Sequence, residues 1–177
     1  MDINNFIGAG LYDGIIKNAD GDEFDIHAIV TASGDPERDE IEVKGDDELK
    51  GTFSMGLSEA ITIEANAISF DVIQEITGND VSSSATGNEV ALGTDSEKNV
   101  PFVEVKAYTT AKSADGTASI IEKIWHKVQL SAIKVEQAGE NEFKFSCEGR
   151  AIPTEEDIEG AALTTKRIAT LKAYSAE

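Results

Sequence analysis

Apolar and polar positions alternate along most of this chain, the period of strands with one buried face. Phe24, Ile26, Ala28 and Val30 alternate with Asp25, His27, Ile29 and Thr31 and predict a first strand. The acidic stretch Ser33-Gly34-Asp35-Pro36-Glu37-Arg38-Asp39-Glu40 reads as the loop that ends it, because glycine and proline punctuate strands. Ile41-Glu42-Val43 starts a second strand, and Gly45-Asp46-Asp47 has turn chemistry. Leu49, Gly51, Phe53 and Met55 alternate through a third strand, and residues 61–64 form a fourth.

One segment changes period. From Phe70 the apolar residues recur every third position, at Ile73 and Ile76 with Val72 beside them, which predicts a short helix packing through those four side chains. Ser69 is placed to cap its first turn, and Gly78 supplies the left-handed residue that ends a helix. A lone helix in a β-rich chain is expected to cover an exposed sheet face.

Residues 79–101 turn to Gly, Ser, Asn and Thr, and read as a long loop that cannot bury much of itself. Beyond it, residues 102–110 alternate as a strand, residues 111–117 form a polar tip, and residues 119–130 return as a long arm. On that arm Ile120, Ile124, Val128 and Leu130 are expected to share one face, with Lys123, Lys127 and Gln129 on the other beside Trp125. A hairpin this long is expected to reach past its sheet. A second hairpin joins residues 133–137 to Phe143, Phe145 and Cys147 through Ala138-Gly139-Glu140-Asn141. After Pro153 an acidic run, Glu155-Glu156-Asp157, leads to a final segment, residues 168–174, that fits a last strand better than a helix.

Length and composition then bound the reading. At 177 residues the chain is one domain's worth of sequence, mainly β with a single helix. The lone Cys147 cannot form an internal disulfide, so packing must hold the fold. The first residues are acidic rather than basic, and no run of about 18 apolar residues occurs. A cytoplasm-like compartment is therefore expected, unless the protein leaves as part of a larger particle.

Charge is the outlier. The chain has 34 acidic and 15 basic residues, a net charge of −19. Residues 1–60 carry 15 acids and 4 bases, whereas residues 101–152 hold 7 of each. Such a field opposes nucleic-acid binding, which draws its affinity from basic groups at phosphates, yet suits a surface past which nucleic acid moves without sticking.

Candidate chemistry is sparse. Nucleophilic catalysis needs a hydroxyl or thiol beside a base, and the two histidines, His27 and His126, both lie in strand patterns. Cys147 falls on an apolar face and reads as a small buried hydrophobe. Residues 18–29 fail as a calcium loop, with Glu23 at the glycine position and Ile29 where glutamate should be. No glycine-rich phosphate cradle occurs. Trp125, between two lysines, reads as an aromatic at a sheet surface or a subunit contact.

Taken together, Ile41-Glu42-Val43-Lys44-Gly45-Asp46-Asp47-Glu48 with the following strand and helix, the polar segment centred on Ala91-Leu92-Gly93-Thr94, and the paired hairpins of residues 102–152 resemble the major tail tube proteins of long-tailed, non-contractile bacteriophages. The resemblance implies a β-sandwich or partly open barrel with one flanking helix, a long hairpin and extended loops. It implies hexameric rings stacked into a tube through which DNA passes, located in the virion tail after assembly in the bacterial cytoplasm. Its partners would be copies of itself and the tape-measure, tail-terminator and distal tail proteins, with no membrane binding, no cofactor and no catalysis. In that reading Ser82, Ser83, Leu92, Lys112, Asp115 and Trp125 are candidates for contacts between subunits or rings. Asp46, Asp47, Glu155 and Glu156 are candidates for an acidic lumen or surface. Two alternatives have other bases: an inner tube of a secretion system or contractile tail, and a calcium- or carbohydrate-binding β-sandwich supported by the acidic loops alone.

Overall fold

The computed structural model describes residues 6–45, 48–92, 100–113, 118–138 and 142–175. It is mainly β. The strands are β1 (Phe6–Lys17), β2 (Glu23–Ile26), β3 (Ile29–Gly45), β4 (Glu48–Ala65), β5 (Val81–Ser84), β6 (Gly87–Val90), β7 (Val103–Ser113), β8 (Ala118–Ala138), β9 (Glu142–Ala151), β10 (Thr154–Glu156), β11 (Ala162–Arg167) and β12 (Ala169–Ser175), with one helix, α1 (Phe70–Thr77). Eight of these strands form one antiparallel sheet in the order β2-β1-β7-β8-β9-β4-β3, and β12 also pairs with β8. Strand β8 is long enough to serve two neighbours on one edge, β12 through residues 119–125 and β9 through residues 128–138. Among the described residues no helix is long and apolar enough to cross a membrane.

The ends of this path, β2 and β3, are joined by His27 and Ala28 alone, so the sheet curls around its apolar face. That face buries Ile16, Ile26, Ile61, Ile63, Val105, Trp125, Val128, Leu130, Phe145 and Cys147, and α1 adds Val72 and Ile76 to the same core. The helix ends match their sequence signals: Ser69 Oγ accepts from Val72 N at 3.2 Å, and Gly78, at φ 69°, donates its N–H to Gln74 O. Phe70 departs from the expectation and is 41% exposed. Steps of three residues turn a helix by about 300°, so the stripe drifts roughly 60° per step and carries Phe70 off the face that Val72 and Ile76 bury.

Several sequence expectations are corrected. The first strand is two strands, because Ala28 adopts φ 53° and turns the chain, which buries both Ile26 and Ile29 and leaves Val30 exposed. The stretch 33–40 is no loop but part of β3. Its glycine serves packing: a Cβ on Gly34 would lie 2.0 Å from Oε1 of the buried Glu59, which crosses there. Pro36 is tolerated because β3 is an edge strand. Residues 49–55 and 61–64 belong to one strand, β4, and residues 133–137 continue β8.

Residues 81–90 of the expected loop form the β5–β6 hairpin, closed by Ser83 Oγ to Asn88 Oδ1 at 2.9 Å and Ser84 Oγ to Gly87 O at 3.0 Å. Small polar side chains that bond locally give this segment structure without burial. The 102–131 hairpin does not stand free, because β1 flanks it on one side as far as Phe6↔Ser113 and β12 on the other as far as Ser175↔Ser119. Residues 6–17, to which the sequence pattern assigns no strand, form β1, and the last strand expected over residues 168–174 is β12.

Candidate functional site

Two arrangements stand out, an unsupported ribbon and a buried polar cluster. The ribbon arises because β3 and β4 outrun their neighbours. The β4–β9 ladder stops at Glu59↔Ala151, whereas β3 and β4 remain paired from Glu37↔Ser58 to Gly45↔Glu48. Roughly 30 Å of two-stranded ladder therefore lies beyond the last third strand, at about 3.4 Å per residue. A lone two-stranded ribbon is marginal in water, and among the described residues no further strand pairs with its edges over this stretch. Residues 37–58 include seven acids and three bases, so the ribbon is also acidic. Arg150 bonds Glu37 at 2.6 Å near its root. Glu59 lies just inside the root and receives a bond from Lys123 Nζ at 2.7 Å, linking β4 to β8.

An apolar cavity of about 570 Å³ opens beside α1, lined by Ile68, Phe70, Ile73, Val90, Leu92 and Val135. Phe70 and Leu92 thus come together on the surface. Ser82 and Ser83 are exposed on β5, Lys112 is exposed near the end of β7, and Glu155 and Glu156 are exposed on β10. Asp46, Asp47 and Asp115 lie outside the described residues. Trp125 corrects the expectation of a surface or subunit contact, since it is wholly buried in the chain's own core. The cause is a β-bulge: Val105 pairs with Trp125 but Val103 pairs with Val128, so His126 and Lys127 stand opposite the single Glu104. The extra residue puts Trp125 on the core face with Val128 and Leu130, and Lys123 Nζ sits 4.3 Å from its ring centre.

The same bulge sends His126 to the opposite face, where β7, β8 and β12 build the polar cluster. Buried Glu104, Glu122 and His126 lie side by side there. His126 Nδ1 is 3.1 Å from Glu104 Oε2, and Nε2 is 2.7 Å from Thr170 Oγ1. Tyr108 and Tyr174 donate their hydroxyls to the two oxygens of Glu122 at 3.0 and 2.7 Å. Burial, then the bond to Glu122, raises the Tyr108 phenol well above its ordinary value. For Tyr174 the bond to Glu122 leads the same upward shift. Arg167 Nη1 approaches Thr170 Oγ1 at 3.3 Å. The chain's pattern offers His126 as one base among strand residues, and only the pairing of β12 with β8 brings a hydroxyl to it. Cys147 is buried among apolar neighbours, which push its thiol up to about 12 and keep it unreactive.

Among the described residues no group of three or more His, Cys, Asp or Glu is arranged to hold a metal ion. No protein-family model matches the chain, and no curated protein matches its sequence.

Proposed function

We propose that this chain is a structural subunit that assembles with copies of itself through its open strand edges, as stacked rings forming the tail tube of a long-tailed bacteriophage. The observation that carries the reading is the β3–β4 ribbon, whose unpaired edges over residues 37–45 and 48–58 would find partners on a neighbouring subunit. The acid excess fits such a role, because a negative passage repels phosphates and leaves DNA no basic groups to stick to. Exposed Leu92 and Phe70 offer apolar area for a second contact.

Sedimentation and negative-stain microscopy of concentrated protein across a salt series test it. Rings or filaments are expected, favoured by high salt because like-charged subunits repel less. Glu40 pairs with Ser54, so replacing residues 41–53 by Asn-Gly closes a shortened ribbon with a two-residue turn. That variant is expected to fold and to remain monomeric. A native chain that is monomeric at every salt and concentration, or a shortened chain that assembles equally well, overturns the reading.

A further inference from the structure

The Glu104–His126–Thr170 chain has the order of groups that activates a hydroxyl nucleophile: hydroxyl, imidazole, carboxylate. With the Glu104 carboxylate accepting from Nδ1–H, a neutral ring leaves Nε2 as an acceptor, and the Thr170 hydroxyl donates to it across 2.7 Å. Glu104 and His126 are both buried, so water competes little for either bond. The hydroxyl is reachable. Thr170 lines an open cavity of about 370 Å³ together with Ile124, His126, Leu163, Arg167 and Tyr174, room for a small acyl group. Arg167 Nη1 donates to the Thr170 hydroxyl oxygen at 3.3 Å, so a positive charge stands beside the oxygen that attacks and steadies negative charge as it develops there.

We infer that this cluster is an acyl-transfer site, with Thr170 as nucleophile toward esters of small carboxylic acids. Thr170 Oγ1 bonds to the ester carbonyl carbon while its proton passes to His126 Nε2. The bond from that carbon to the alcohol oxygen then breaks, and the alcohol leaves with the proton from His126. Water, giving a proton to His126, attacks the acyl-threonine, and release of the carboxylic acid returns that proton to Thr170. Glu104 is a positioning residue that holds the imidazole with Nε2 turned to the hydroxyl. The inference is independent of assembly and applies equally to a monomer.

The test is incubation of the full chain with p-nitrophenyl acetate, following p-nitrophenolate release and locating acetyl groups by peptide mass spectrometry. Acetylation of Thr170 is expected, and Thr170→Val, which keeps the shape and removes the hydroxyl, is expected to slow release by roughly 100-fold or more. Thr170→Ser should retain acylation, and Glu104→Gln should lower kcat with little change in KM. Near-UV circular dichroism checks that each variant is folded. Should Thr170→Val not fold, acetyl-serine at the Thr170→Ser position carries the test alone. Acetyl groups on lysines only, or release unchanged in folded Thr170→Val, would overturn the inference and leave the cluster as a polar staple between β8 and β12.

Discussion

The molecule contains two long hairpins, β3–β4 and β7–β8, and they solve the problem of exposed edges in opposite ways. The β7–β8 pair is flanked by β1 and β12 almost to its end, so its backbone groups are satisfied within the chain. The β3–β4 pair loses its third strand at Glu59 and, among the described residues, continues alone to Gly45↔Glu48. Alternating apolar residues built both. What separates them is neighbours, which a strand pattern does not encode: one hairpin is held on both flanks, and among the described residues the other is not.

The widest gap should appear when matched truncations are made in each. Trp125 lies in the supported hairpin, fills the core and is wholly buried, and Trp125→Ala is expected to cost about 3–5 kcal/mol by chemical denaturation. Leu57 lies in the ribbon and is 43% exposed, so Leu57→Ala should stay within about 0.5 kcal/mol. Equal costs for the two would mean that the ribbon packs on the body and is not a free element.

An intermediate effect is expected where the two hairpins meet. Glu59 of β4 reaches Lys123 of β8 by crossing the space that a side chain at position 34 would occupy. Gly34→Ala puts a carbon where the carboxylate lies, forcing Glu59 from its partner, at a cost of roughly 1–3 kcal/mol. A neutral result in the same denaturation experiment would show that the root rearranges freely and that this ion pair does not tie the hairpins together.

These positions also show how far the sequence was legible. The helix, its two caps, Cys147 as a buried residue and the β-rich class follow from local signals that tertiary contacts did not override. Gly34 and Pro36 misled because glycine and proline usually mark loops, whereas here one makes room for Glu59 and the other sits on an edge strand. Trp125 and His126 exchanged faces through a single bulge residue, invisible to a period of two. Thr170 was silent for a different reason: its partner His126 lies 44 positions back and Glu104, which bonds that histidine, 66 back, and it takes both the β12–β8 and the β7–β8 ladders to bring them together.

The smallest expected effect is an acid-dependent contact on the outer flank of the supported hairpin, where Lys106 Nζ of β7 donates to Glu23 Oε1 of β2 at 2.6 Å. That bond, the leading cause, holds the Glu23 carboxyl below its ordinary value of 4.5. A carboxyl with a lower pKa when folded binds protons more readily in the unfolded chain. Its contribution is therefore full above the ordinary value and is lost as pH falls through the folded one. The Glu23 side chain is 45% exposed, which limits the contribution to under about 1 kcal/mol. Glu23→Gln should thus be slightly less stable than the native chain near neutral pH, with the gap closing as the medium is acidified below the ordinary carboxyl value. A gap that stays constant between about pH 7 and about pH 3 would mean that the pairing with Lys106 is not its source, and that β2 is held to the supported hairpin by the buried Ile26 and its backbone ladder alone.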